Sequence, residues 1–256
     1  MRLLGYEIHV KKLPRMNLNK EQMNELLNTL REYNYTLLEI EPTNIKCLSE
    51  YYVNYSDKIY CKIRNLFGVS LFVIDNEIRA MLGHIFEYDP NIKDDSNLQK
   101  AYGHFRRFNL DSFKIICDEL DAFYNNWLKT HYKYDFRDIN KDFMEKFARK
   151  YYIAKESYTN AQLREHVGSD RNKNAKEGKT GNTNNEVEYV DDNTAKDNHS
   201  VLRDYSIASM NYVDMLCYYL EYRPKIEKAK DFAVIKKICF FAADIIAIFA
   251  GIVSFF

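Results

Sequence analysis

The chain has 256 residues, 46% hydrophobic and 15% aromatic, which is material for one medium domain with an appendage or for two small domains. Lysine plus arginine and aspartate plus glutamate number 37 each, so whole-protein attraction to nucleic acid is not expected and only a local basic patch would serve that role. Only 8 glycines and 4 prolines weigh against a loop-rich β-protein and for helices. Cys47, Cys61, Cys117, Cys217 and Cys239 are scattered, odd in number and without a C-x-x-C pair. They read as free, buried thiols in a reducing compartment, with no disulfide framework, no metal site and no cofactor expected.

Met1-Arg2-Leu3-Leu4-Gly5 runs straight into the mixed Tyr6-Glu7-Ile8-His9-Val10, which is not the pattern of a secretory leader. Residues 1–75 are expected to form an N-terminal subdomain. Asn19-Lys20-Glu21-Gln22 has the chemistry of a capped helix start, with Met23, Leu26, Leu27 and Leu30 behind it. Leu48, Tyr52, Tyr55, Ile59 and Leu66 mark a further helix. Tyr6–Val10, Tyr35–Ile40 and Val69–Ile74, however, carry the β-branched and aromatic residues of short strands. An all-helical subdomain is preferred, with a small α/β subdomain as the alternative.

Residues 76–167 are expected to hold the core of a helical bundle. The helix that begins after Asp75 contains Arg79-Ala80-Met81-Leu82-Gly83-His84. This R-x4-H spacing resembles the R-x4-6-H motif of the HEPN superfamily of helical bundles, many of whose members are ribonucleases. The resemblance implies that Arg79 stabilises a phosphate of RNA while His84 assists proton transfer, usually across a dimer interface. RNA cleavage does need a cation at the phosphate and an imidazole acid or base. Ala80 departs from the polar residue that often follows the motif arginine, and the resemblance reaches no further than Asp75 to Val167.

Ser96-Asn97-Leu98-Gln99 then opens a long helix with capping-box chemistry. Leu98, Tyr102, Phe105, Phe113, Ile116, Leu120, Phe123 and Trp127 recur along it at helical spacing. Beside that stripe, His104, Arg107, Asp111, Lys114 and Asp118 fall on one face. They form either a solvated row of intrahelical ion pairs, Arg107–Asp111 and Lys114–Asp118, or a polar seam against another helix. In the seam, His104 with Arg106 and Arg107 would contact a phosphate or another ligand. A second helix from Asn140 to Val167 presents Phe143, Phe147, Tyr151, Ala154, Tyr158 and Ala161, and the short connection favours an antiparallel pair.

Residues 168–200 are polar and asparagine-rich, the composition of a disordered linker. Across 201–230, Leu202, Tyr205, Tyr212, Leu216 and Tyr219 mark an amphipathic helix that returns to the bundle, ended or kinked by Pro224. The remainder, 231–256, is expected to be a transmembrane anchor. Its Ile238–Phe256 stretch has 19 residues, of which eleven are Ile, Phe or Val and one, Asp244, is charged. As a helix this stretch spans roughly 28 Å, close to a hydrocarbon core. The apolar residues contribute about −3 to −6 kcal/mol against about +2.5 to +3.5 for a central aspartate, so insertion wins narrowly. Lys225, Lys228, Lys230, Lys236 and Lys237 precede the segment and would keep the N-terminal bulk cytoplasmic, a single-pass, tail-anchored topology that leaves the N-x-S/T sequences at Asn34 and Asn54 unglycosylated. Ala243, Ala247 and Gly251 recur every four residues beside Asp244, a spacing that favours self-association of anchor helices.

The expected whole is mainly α: a helical bundle with a disordered insertion and one C-terminal transmembrane helix. Its expected partners are the lipid bilayer, further copies of itself and a cytosolic ligand or protein, with RNA a further candidate. A membrane-anchored effector or sensor is the preferred function, of a kind that would suit a defence role. A non-catalytic membrane adaptor and a metal-independent ribonuclease of HEPN type are the alternatives.

Overall fold

The computed structural model describes residues 20–36, 45–67, 72–89, 96–131, 142–177 and 192–253, with side chains described to residue 166 in the sixth helix and, in the seventh, across 201–240 apart from 233, 234, 237 and 238. Among them are seven α-helices and no strand: α1 (Lys20–Thr36), α2 (Ile45–Tyr51), α3 (Asp57–Phe67), α4 (Phe72–Phe86), α5 (Ser96–His131), α6 (Phe143–Glu177) and α7 (Asp192–Val253). The all-helical reading of the N-terminal part therefore holds for its described residues. Of the three strand-like runs, Phe72, Val73 and Ile74 of the third open α4, Tyr35 and Thr36 of the second close α1, and the rest lies outside the described residues.

α7 is the spine, packing against α6, α5 and α1, while α4 lies along α5. Small residues allow the close approach: Ala208, Ser206 and Ser209 are fully buried on α7. The Ser209 hydroxyl donates to the Phe113 carbonyl of α5 at 3.0 Å, and Ser206 donates to Asn34 of α1 at 2.7 Å. The expected α5–α6 pair is antiparallel, for Lys114 meets Glu165 while Trp127 meets Phe143 and Phe147. Phe143, Phe147, Ala154 and Ala161 are completely buried, as their spacing requires. Between α5 and α6 the core is aromatic, with Tyr124 stacked on Tyr151 at 3.7 Å and Trp127 edge-on to Phe147.

α2 and α3 are joined without a loop by a π-helical segment, Tyr52–Ser56. The extra residue in this turn rotates the faces of α2 relative to those of α3. Leu48 thereby joins a small apolar cluster with Met81, Ala101 and Phe105, while Ile59, Tyr60, Ile63 and Phe67 enter the main core.

Three boundaries differ from the sequence expectation. α6 continues to Glu177 and α7 begins at Asp192, so helix runs into both ends of the supposed linker, and 178–191 lie outside the described residues. The returning helix and the terminal segment are one helix, with Pro224 inside it. A proline deprives only the carbonyl four residues earlier of its donor, here Leu220, and packing on both sides, at Leu220 and Ile226, holds the helix through that gap. Among the described residues no helix is long and apolar enough to cross a membrane. The backbone of α7 reaches Val253, but the side chains of 241–256, including Ala243, Asp244, Ala247 and Gly251, are outside the described set, as is that of Lys237. All cysteines described are free; Cys117 and Cys217 are buried as expected, whereas Cys61 and Cys239 are exposed.

Candidate functional site: a histidine, carboxylate and arginine cluster between α4 and α5

On α4, Glu77, Met81 and His84 are four and three residues apart and share one side of the helix. Met81 seats this side in the small apolar cluster with Ala101 and Phe105 of α5, which fixes the antiparallel register of the two helices. Above that floor Glu77 meets His104 and Arg107. Its Oε2 accepts from Arg107 Nε at 3.0 Å and lies 2.8 Å from His104 Nδ1. Arg107 Nη2 closes the triangle, 2.9 Å from the same ring nitrogen. Nδ1 either donates to the carboxylate or accepts from the guanidinium, both charge-assisted. The half-exposed Arg107 can turn from a facing N–H, whereas the largely covered Glu77 cannot turn from a facing lone pair. The proton is therefore assigned to Nδ1, which leaves Nε2 of His104 as a basic acceptor, an orientation device familiar from catalytic histidines. Burial alone would raise the Glu77 pKa, but the bonds from His104 and Arg107 outweigh it and hold the carboxyl below its ordinary value.

His84 completes the group from α4. Its ring stacks on that of His104 at 5.3 Å between centroids and 21° between planes. His84 Nδ1 is buried without a hydrogen-bond partner, facing Glu87 at 3.8 Å. Both imidazoles are about three-quarters covered, while Arg107 is half exposed.

Each histidine is preceded by a glycine inside a helix, Gly83 and Gly103. Glycine costs a helix interior about 0.8–1.0 kcal/mol relative to alanine. Packing does not demand either one. A Cβ at Gly83 would meet nothing within 4 Å, and one at Gly103 would make only an ordinary 3.8 Å contact with Arg107 Nη1.

Arg79 is not part of this group. At 100° per residue it lies about 140° around α4 from His84, and it is exposed. It shares the outer side with Phe72, Leu82 and Phe86, which are also exposed. The structure thus pairs His84 with His104 and not with Arg79 inside one chain. Arg106 likewise diverges from Arg107: it lies over the Tyr102 ring at 5.8 Å, and burial lowers its pKa.

Farther along α5 the polar line turns to α6 and α7. Arg107 reaches across to α4 and Lys114 reaches Glu165 of α6 at 2.5 Å, the seam arrangement and not a row confined to α5. Glu165 also accepts from Tyr205 at 2.6 Å, and these two donors overcome burial to hold its pKa down. Asp118 accepts from Tyr158 at 2.6 Å. Asp121 accepts from Tyr212 at 2.8 Å, Tyr151 at 3.0 Å and Lys155 at 3.0 Å. Asp111 lies between the two stretches, and burial pushes its carboxyl up, with Glu77 and Glu165 adding to the rise against Lys114 and Arg107.

Sequence reasoning missed Glu77, although its spacing to Met81 and His84 placed it on the face of the histidine. The tyrosine donors of α6 and α7 were read only as core. Among the described residues no group of three or more histidine, cysteine or acidic side chains is arranged to hold a metal ion. No protein family's sequence profile matches the chain, and neither do curated proteins or solved structures.

Proposed function

We propose that this chain is a membrane-anchored sensor or effector in which a cytoplasmic helical bundle binds a ligand and a self-associating terminal helix carries the response. The observation that supports it is the continuity of α7. One helix holds the fully buried Tyr205, Tyr212, Val213 and Leu216 in the core, passes Ile226, and continues to Val253. A rearrangement at the α5–α7 contact is thereby delivered to the apolar end without a loop to absorb it. Past the bundle, Lys225, Lys228 and Lys236 are exposed alongside Phe232, Ile235 and Phe240, the basic and aromatic mixture of a helix entering an anionic leaflet.

Cys239 stands one turn before Ala243, where the small-residue spacing begins, so it reports on self-association. Full-length protein with Cys61→Ser should float with liposomes and crosslink through Cys239 on oxidation. Gly251→Leu with Asp244→Leu should abolish the crosslink while flotation persists. Protein left at the bottom of the gradient, or crosslinking indifferent to both changes, would remove the proposal.

A metal-independent ribonuclease is a second reading, favoured by the two adjacent imidazoles with an arginine beside them. In that reading Arg107 takes the part that the resemblance gave to Arg79. Cleavage of RNA in the presence of chelator, lost in both His84→Gln and His104→Gln, is its test. Cleavage that survives both changes rejects it.

A further inference from the structure

We propose that the surface formed by Gly83-His84 of α4 and Gly103-His104 of α5 binds the phosphate group of a small phosphorylated ligand. Two helical glycines, each unexplained by packing, flank the same stacked pair of imidazoles. A side chain at Gly103 would stand against the Arg107 guanidinium, whose Nη1 lies 3.8 Å from the place of its Cβ, so the glycine there leaves the guanidinium uncovered.

The groups left accessible are those that recognise phosphate. Arg107 spends Nε on Glu77 and keeps its outer nitrogens at a half-exposed surface. His104, with Nδ1 held by Glu77, presents Nε2, which binds a phosphate oxygen on protonation or accepts a proton from a phosphate hydroxyl. His84 brings a second imidazole alongside, stacked on His104, with its buried Nδ1 turned toward Glu87 and not to the surface. The negative groups facing the site are Glu77, already held by two donors, Glu87 at 3.8 Å from His84, and Asp111, whose charge burial disfavours. Phosphate suits this set, because a guanidinium and two imidazoles offer donors to several oxygens of one group.

Phosphate binding here supplies the ligand class of the bundle site and rests on reading the bundle as ligand-binding. It does not need the anchor, so the test uses full-length protein in detergent micelles and reads the same whether or not the chain enters a bilayer. Inorganic phosphate is titrated while the histidine ring carbons are followed by NMR. His84 and His104 should shift saturably, and exposed His166 on α6 should not. Arg107→Gln should weaken binding at least tenfold. Gly103→Leu should weaken it as much while raising Tm by roughly 1–3 °C, because leucine favours a helix that glycine does not. Adenosine monophosphate and glycerol phosphate, titrated in parallel, distinguish a nucleotide from a lipid head group as the source of the phosphate. Absence of saturable shifts overturns the proposal, as does unchanged affinity in Arg107→Gln or in the stabilised glycine variant.

Discussion

The two stretches of α5 that face α4 and α6 use similar residues to different ends. Toward α6 and α7, Asp118, Asp121 and Glu165 are each closed by tyrosine hydroxyls from neighbouring helices, so each carboxylate ties helices together. Toward α4, Glu77 takes its donors from a histidine and a half-exposed arginine, and Gly103 leaves the arginine uncovered. A tyrosine spends its one proton inside the protein, whereas imidazole and guanidinium keep nitrogens in hand after one bond. The first stretch is therefore read as scaffold and the second as a place for something that arrives.

That contrast is sharpest at Asp121, which serves two helices. Asp121→Ala leaves Tyr151, Tyr212 and Lys155 without their acceptor and should cost about 3 kcal/mol in urea unfolding. A loss below about 1 kcal/mol would erase the distinction. Tyr212→Phe removes a single one of the Asp121 donors and should cost about 1 kcal/mol by the same measurement.

Glu165 adds a pH signature. Its folded pKa lies below the ordinary value, so its contribution is fully present above the unfolded carboxylate range and is lost as pH falls through the folded pKa. Glu165→Gln should be less stable than the parent at pH 7 by about 1 kcal/mol or less, since solvent screens this partly exposed pair, and the gap should close as pH falls from the ordinary glutamate range through the lowered folded pKa. The smallest effect is expected on the α4 side. His104→Gln should change stability by no more than about 0.5 kcal/mol, yet remove the phosphate-dependent NMR shift at His84. A large stability loss there would make the two stretches alike.

Much of the bundle was legible because its apolar residues keep helical period. Phe143, Phe147, Tyr151, Ala154, Tyr158 and Ala161 could be placed on one buried stripe from spacing alone, and the α5 start at Ser96 from its capping residues. The polar line His104, Arg107, Asp111, Lys114 and Asp118 was legible as a line, but not its partners, because Glu77 and Glu165 lie 27 and 51 residues from theirs and no local rule joins them. The Arg79–His84 spacing by itself does not join the two side chains within one chain, since five residues along a helix carry them to different sides. Composition set the linker at 168–200, while helical backbone covers 168–177 and resumes at Asp192, since a helix already nucleated propagates at low cost into polar sequence. Nothing in the sequence signalled the π-turn at Tyr52–Ser56.

The length of α7 beyond the core has a consequence for where the bundle stands. From Ile226 to Val253 the helix rises about 40 Å, and the apolar run that opens at Ile238 takes up only the outer part of that rise. With that run in a bilayer, the intervening lysine-rich turns form a mast about 16–18 Å tall between the last buried residue and the oil. Head groups occupy roughly the lower third to half of that height. The bundle would ride clear of the lipid, its α4–α5 surface open to solutes from the side.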